Sequence, residues 1–224
     1  MTPETMDTVA MMVSDPSAPT AVRMVVVLTA LAVLPGLVML MTPFVRFVIV
    51  LSMARQALGL QQSPPNQVLV ALALVLTAAV MQPTIAIVDQ TAIQPYLAGE
   101  VDTTTALTNG LAPMRGFMLE HVRRDDLWSA IRIARIARPA TVEDLPSSVI
   151  VTGYVLSELR SAFVIGVKVY VPFVVLDLVV ASVLLGTGMM MLPPVVVSLP
   201  VKLLVFVLMD GWTLLLTGLA RSVQ

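Results

Sequence analysis

The 224-residue chain contains no cysteine, and this absence excludes disulfides, zinc–thiolate sites and thiol catalysis. His121 is the one histidine, so the neighbouring Glu120 and His121 have no second histidine with which to complete a metal site. His121 shares a helical face with Phe117 and Met118, which is typical of a packing residue. We therefore expect neither a metal nor any other cofactor.

Two further catalytic patterns are missing. No glycine-rich loop followed by Lys and Ser or Thr is present, so the chain has no phosphate-binding loop. No serine accompanies a histidine in an apolar segment, which argues against an intramembrane hydrolase. We expect no enzymatic activity, and the classes that remain are a channel or gate, a transporter, and a structural membrane subunit.

Charge is also scarce. Only 12% of the residues are charged, against about 25% in an ordinary soluble domain. Hydrophobic residues make up 58% of the chain, and the net charge is −1, which leaves no broad basic surface for nucleic acid. This composition predicts an all-α integral membrane protein.

Four apolar segments follow one another and form two long kinked helical hairpins, with a polar helical domain between them. The first segment runs from about Val22 to Met53, with Arg46 and Arg55 near its far end, where we expect both to snorkel towards a headgroup region. No basic stretch precedes an apolar core in the N-terminal tail, which therefore does not resemble a cleavable signal peptide. The predicted parts are a polar flexible tail over 1–21, the first hairpin over 22–88, the polar domain over 89–146, the second hairpin over 147–219 and a C-terminal tail over 220–224.

The polar domain carries most of the charge. Asp125 or Asp126 is expected to cap a short helix that contains Trp128 and Ile131. Arg132, Arg135 and Arg138 share the exposed stripe of this helix, and Pro139 ends it. Such a stripe is typical of a solvated face, and contact with a partner is the alternative.

The second hairpin turns at Gly186-Thr187-Gly188-Met189-Met190-Met191-Leu192-Pro193-Pro194. Glycine and proline supply the break between two long apolar runs. Methionine is unbranched and soft, so Met189, Met190 and Met191 are suited to sealing a gap that must also yield. The alternative is that they are ordinary apolar residues at a membrane turn.

Four ionisable residues lie along the arms of this hairpin, and they mirror one another about the methionines. Asp177 lies twelve residues before Met189, and Lys202 lies twelve after Met190. Lys168 and Asp210 lie twenty-one residues before and after Met189. Because ionisable groups at membrane depth are costly unless paired, we predict two ion pairs, Asp177 with Lys202 and Lys168 with Asp210.

Helix geometry limits this prediction. At about 100° per residue, Lys168 and Asp177 point to opposite faces of a straight helix. Either Pro172 and Pro200 rotate the faces, or at least one charge reaches a neighbouring subunit. A further alternative is that Lys168 and Asp210 snorkel to the two ends of ordinary spans.

Several motifs, in order along residues 24–218, resemble the FliP family of flagellar type III export-gate proteins, which is related to the SctR and YscR subunits of injectisomes. Pro43 and the sequence Thr152-Gly153-Tyr154 depart from the usual family pattern. The motifs that carry the resemblance include Arg55-Gln56-Ala57-Leu58-Gly59, Pro64-Pro65-Asn66-Gln67, Ser157-Glu158-Leu159, Asp177-Leu178-Val179-Val180-Ala181-Ser182, Gly188-Met189-Met190-Met191-Leu192-Pro193-Pro194 and Asp210-Gly211-Trp212.

The resemblance implies a pore-forming subunit that passes unfolded flagellar subunits across the bacterial inner membrane, in the flagellar basal body. It implies a helical ring, a pentamer in the family, which is joined by FliQ-like and FliR-like subunits and works with FlhA-like and FlhB-like export proteins. By matching motif, Met189, Met190 and Met191 would form a gasket around the pore. The charged residues of the second hairpin would be ion pairs or inter-subunit contacts: Glu158, Arg160, Lys168, Asp177, Lys202 and Asp210.

Three alternatives remain open at this point. An SctR-type subunit of a virulence injectisome shares the motifs. A secondary transporter would use Asp177 and Lys202 as an ion site near the membrane midplane. A purely structural scaffold would contain the same apolar hairpins without a pore.

Overall fold

The computed structural model describes residues 20–136, 141–142, 144–189 and 192–223. Every regular element in those ranges is helical. Three predicted features lie outside the described residues: residues 1–19 of the tail predicted over 1–21, the end of the arginine stripe at Arg138 and Pro139, and both Met190 and Met191. Residues 20 and 21 of the predicted tail are instead the start of the first helix. The helices are α1 Thr20–Leu40, α2 Phe44–Ala57, α3 Asn66–Val88, α4 Gln94–Leu97, α5 Thr103–His121, α6 Arg124–Ala134, α7 Ser147–Gly186, α8 Pro194–Leu208 and α9 Gly211–Arg221, with a π-helical turn over Asp89–Ile93 between α3 and α4.

The first apolar segment, which was predicted to be kinked, is broken at one of its two prolines. Residues 41–43 separate α1 from α2, and Pro43 explains the break because proline lacks the backbone donor that a continuing helix needs. Pro35, by contrast, lies inside α1.

Two described helices are long and apolar enough to cross a membrane. One is the continuous helical stretch Asn66–Leu97 of 32 residues, and the other is α7 with 40 residues. A span needs about 20 residues, so both exceed the requirement. Helices α8 and α9 count as a third span if they are taken together, although they are bent by 65°. These features define an all-helical membrane protein.

The chain divides into two compact units, each assembled from separate stretches of sequence. The first unit contains the residues up to Pro43 together with Met81–Glu158. Its core joins the C-terminal end of α5, one face of α6 and the start of α7. The buried residues are Met118, Leu127, Ala130, Ile131, Leu145, Val149, Ile150 and Tyr154.

Helix α6 begins differently from the prediction. Neither Asp125 nor Asp126 is its N-cap; that position is Arg123, which makes no side-chain cap hydrogen bond. Asp126 instead lies buried and accepts a 2.9 Å hydrogen bond from the Ser157 hydroxyl of α7. The same hydroxyl accepts a 3.0 Å bond from the Arg123 backbone N–H, so Ser157 ties the start of α6 to α7.

The second unit contains Phe44–Val80 and the residues from Leu159 onward. A core cluster of Ala57, Leu58, Phe173 and Phe206 joins α2, α7 and α8. Gly166 of α7 allows a close approach to α2, because a Cβ atom there would overlap the Met53 side chain.

The expected snorkelling of Arg46 is wrong, and that of Arg55 stays a prediction. Arg46 is buried and donates to the backbone carbonyl and the hydroxyl of Ser222. Arg55 donates to the Pro64 carbonyl at 3.0 Å and to Asn66 Oδ1 at 2.8 Å. Ser222 therefore takes the place of the headgroups that snorkelling of Arg46 would have required.

Candidate functional site

The tip of the second apolar region begins where α7 ends at Gly186. Gly188 has φ +76°, and its backbone N–H donates to the Leu185 carbonyl at 3.1 Å. The Met189 N–H donates to the Leu184 carbonyl at 3.0 Å. This pair of bonds around a left-handed glycine is the Schellman motif, which closes a helix by satisfying its last carbonyls.

Thr187 adds to this closure. Its hydroxyl bonds to the Val183 carbonyl at 3.1 Å and to the Leu184 carbonyl at 3.0 Å. The next helix starts soon afterwards, with Pro193 as N-cap and Pro194 in its first turn. Proline suits the first turn because its missing N–H would have no partner there. The Schellman motif and Thr187 therefore end α7, and the two prolines begin α8, so the turn between these helices is short.

Met189 lies in this short turn. Met189 is 48% exposed. Four aliphatic side chains on the adjoining helix ends are also exposed: Val183, Leu185, Val195 and Val196. An apolar end of this kind is unstable in water, so it must face lipid or other protein.

An ion pair joins the two arms below the tip. Lys202 Nζ lies 2.6 Å from Asp177 Oδ2 and donates to the Ala57 carbonyl at 3.1 Å. The Lys202 side chain is 7% exposed, whereas that of Asp177 is 40% exposed. A buried ammonium is tolerable only when it has acceptors. The carboxylate and the end of α2 provide them.

Phe173 and Phe206 form an aromatic contact that lies one helical turn further from the tip than the Asp177–Lys202 pair. Phe173 of α7 and Phe206 of α8 have ring centroids 6.3 Å apart. Phe173 precedes Asp177 by four residues, and Phe206 follows Lys202 by four. One helical turn thus separates the two contacts on each arm, as expected for antiparallel helices.

The other predicted pair is not brought together. Lys168 and Asp210 are both exposed, and they form no ion pair with each other in the described part of the chain. Asp210 adopts a left-handed conformation with φ 51° at the start of α9. The prediction assumed one continuous arm, but α8 ends at Leu208 and the chain bends by 65°.

Glu158 and Arg160 lie where the two units divide on α7, with Glu158 buried and Arg160 exposed.

His121 behaves as the packing residue that was expected. Its ring centroid lies 4.3 Å from that of Phe117, and its Nδ1 lies 2.8 Å from the Phe117 carbonyl oxygen.

Two contacts of the second unit were not predicted from the sequence. The Ala57 carbonyl that holds Lys202 is a backbone group 145 residues away, and the Ser222 carbonyl that holds Arg46 lies 176 residues away. No local pattern marks a backbone acceptor. The one available signal was an arginine or lysine placed within an apolar run, which indicates a need for some partner.

These features define a class of protein: an all-helical membrane protein with a methionine-rich turn and an ion pair below that turn. A model described as the FliP family matches residues 27–219, and the chain belongs to that family. It is 43% identical to the flagellar biosynthetic protein FliP of Bacillus subtilis, over 93% of this chain and 95% of that protein. It is 46% identical to the protein of the same name from Caulobacter vibrioides, over 91% of this chain and 76% of the relative.

Proposed function

We propose that this protein is a component of a flagellar protein export apparatus and that it forms part of the export pore. The role in the export apparatus is supported by membership of the FliP family, whose model matches residues 27–219. The flagellar names of the relatives favour a flagellar system over a virulence injectisome. Export through a pore requires no chemical step by this subunit, so the proposed role is not enzymatic.

The pore role is supported by the form of the tip. Two apolar arms end in a turn with an exposed methionine, and the arms are fixed to each other by the pair Asp177 and Lys202. A ring of such hairpins would place Met189, Met190 and Met191 around a central opening. Soft unbranched side chains would close this opening to ions and widen around a translocating chain.

The proposed assembly lies in the inner membrane of the bacterium, at the flagellar basal body. It is a homo-oligomer, expected to be a pentamer, with FliQ-like and FliR-like subunits and with FlhA-like and FlhB-like export proteins nearby. Its cargo is unfolded flagellar subunits. Arg160, Lys168 and Asp210 are exposed and are proposed as contacts between subunits, whereas the buried Glu158 is proposed as a contact within the chain.

The secondary-transporter alternative is less well supported. A midplane ion site needs an acid that can exchange its counter-ion. Asp177 Oδ2 instead lies 2.6 Å from Lys202, which the Ala57 carbonyl also holds. This arrangement suits a fixed structural contact.

Deletion of the gene in its own host tests the proposal. We expect loss of swimming motility and of flagellar subunits in the culture medium, both restored by the wild-type gene. Secretion of flagellar subunits at the undiminished level in the deletion strain would overturn the proposal. Loss of effector secretion with intact motility would instead indicate the injectisome alternative.

A further inference from the structure

Charge is segregated within the first unit. No lysine or arginine occurs between Arg55 and Arg115, whereas residues 115–138 contain six arginines. The acids of the first stretch therefore have no basic neighbour along the chain. Two exposed surfaces of opposite charge result, one before α5 and the other after it.

The acidic patch precedes and begins α5. It consists of exposed acids and exposed apolar side chains: Ile93, Tyr96, Leu97, Glu100 and Asp102. Leu97 is 78% exposed. Asp102 is the N-cap of α5, and hydrogen bonding from Thr105 lowers the pKa of its carboxyl below the ordinary value, so Asp102 is anionic at neutral pH.

The basic patch covers the outer face of α6 and the residue that follows it. Its members are also exposed: Arg124, Trp128, Arg132, Ile133 and Arg135. Arg124, Trp128 and Arg132 are spaced four residues apart and so form one stripe along the helix. Ile133 is 65% exposed. Arg123 and Asp125 nearby are both exposed and offset each other, which leaves three positive charges.

The two patches form no ion pair with each other in the part of the chain that the structure describes. Helix α5 has 19 residues and is therefore about 28 Å long at 1.5 Å per residue. Asp102 lies at its beginning, and Arg124 follows its end. Screening by salt acts over about 8 Å under physiological conditions. Among the residues that the structure describes, Glu100, Arg124, Arg132 and Arg135 form no ion pair.

We propose that the acidic patch of one copy of this chain binds the basic patch of the next copy. Each patch combines charge with exposed apolar side chains, and the two have opposite sign, so a second copy supplies the matching surface for both. Contacts between two different patches are heterologous, and such contacts either close into a ring or continue as a filament. The inference rests on the oligomer proposed above and assigns its contact surface in the polar domain.

The chemistry of the patches suits such a contact. Tryptophan and arginine are the residues that most often dominate binding at protein interfaces. Leu97 ends a helical stretch of 32 residues, which exceeds the roughly 20 residues of a span, so its end can lie outside the bilayer. There Leu97 and Ile133 would remove apolar surface from water on opposite sides of the interface. The charges would align the two copies and exclude like patches from meeting, because like charges placed opposite each other repel.

The lack of cysteine makes a crosslinking test direct. The double variant Leu97→Cys with Ile133→Cys is expressed in the full-length protein and oxidised in native membranes. We expect a ladder of covalent multimers that extends beyond the dimer. Each single variant should yield monomer, since each patch faces its opposite and not itself.

A matched pair controls for random collision. Leu111 is exposed on α5 and belongs to neither patch; it lies nine residues after Asp102, about 14 Å along the helix, so Leu97→Cys with Leu111→Cys should give no ladder. Arg132→Glu should reduce the ladder several-fold, and adding Glu100→Arg should restore it. If the double cysteine variant gives no ladder, an oligomer on a native gel would overturn the patch assignment alone, and a monomer on that gel would overturn the proposed oligomer as well.

Discussion

Asp177 and Lys202 lie twelve residues before Met189 and twelve after Met190, and their side chains meet at 2.6 Å. Phe173 and Phe206 lie sixteen residues on either side of the same two methionines and are also in contact. The two arms are therefore in register about the tip. Because Lys202 also binds the Ala57 carbonyl, this register is tied to the end of α2.

The first prediction concerns the energy of this pair. Asp177→Ala should destabilise the protein by about 1–3 kcal/mol, because it leaves a buried ammonium with one acceptor fewer. The partial exposure of Asp177 keeps the loss below that of a fully buried pair. Lys202→Ala added to Asp177→Ala should recover part of the loss. Thermal unfolding of the detergent-solubilised variants measures both effects.

Lys168→Ala is the matched control, since Lys168 is exposed on the same helix. It should change the unfolding midpoint little. Additive losses from Asp177→Ala and Lys202→Ala would show that the two residues do not stabilise each other.

Proline and glycine residues at helix ends explain what could be predicted from the sequence. The expected helix between Pro146 and Gly186 agrees with α7, because proline and glycine mark both of its ends. The approach of Asp177 to Lys202 followed from counting outward from the tip. That count failed for Asp210, because the left-handed residue at the bend has no sequence signal as clear as that of proline or glycine.

Burial of Arg46 illustrates the second limit. Its position in an apolar run indicated a need for a partner, but the acceptor is the backbone of Ser222 at the far end of the chain. Contacts at such separation depend on tertiary packing, which local pattern does not encode. The sequence therefore marks Arg46 as a costly residue, but the fold decides its environment.

The contact of Arg46 with Ser222 gives the second prediction. Ser222 is the C-cap of α9, and a cation there satisfies a terminal carbonyl and opposes the negative end of the helix dipole. Arg46→Met should lower the free energy of unfolding by about 1–3 kcal/mol. Thermal unfolding checks this loss. Arg221→Met, at an exposed site in the last turn of α9, should cost less than about 1 kcal/mol; equal losses would contradict the capping role.

The third prediction concerns substitutions of Gly188. Its φ of +76° is costly for a residue with a Cβ, by about 1–2 kcal/mol. Gly188→Ala should therefore weaken the Schellman closure and displace Met189, whereas Gly188→Asn should cost less. Gly186→Ala is the control, because a Cβ there meets nothing within 4 Å. Unfolding midpoints rank the variants, and equal effects of the two alanine substitutions would contradict the account of the tip.

The fourth prediction separates size from softness at the proposed gasket. Replacing Met189, Met190 and Met191 together by Ala removes most of the side-chain volume, so the resting pore should conduct ions. Replacing all three by Leu keeps similar volume but introduces branching. The leucine variant should stay closed at rest, yet it should export flagellar subunits more slowly because branched side chains yield less around a moving chain. Single-channel or whole-membrane conductance, together with secretion of flagellar subunits, measures the two properties. A resting conductance of the alanine variant equal to that of the wild type would show that these methionines do not seal the pore.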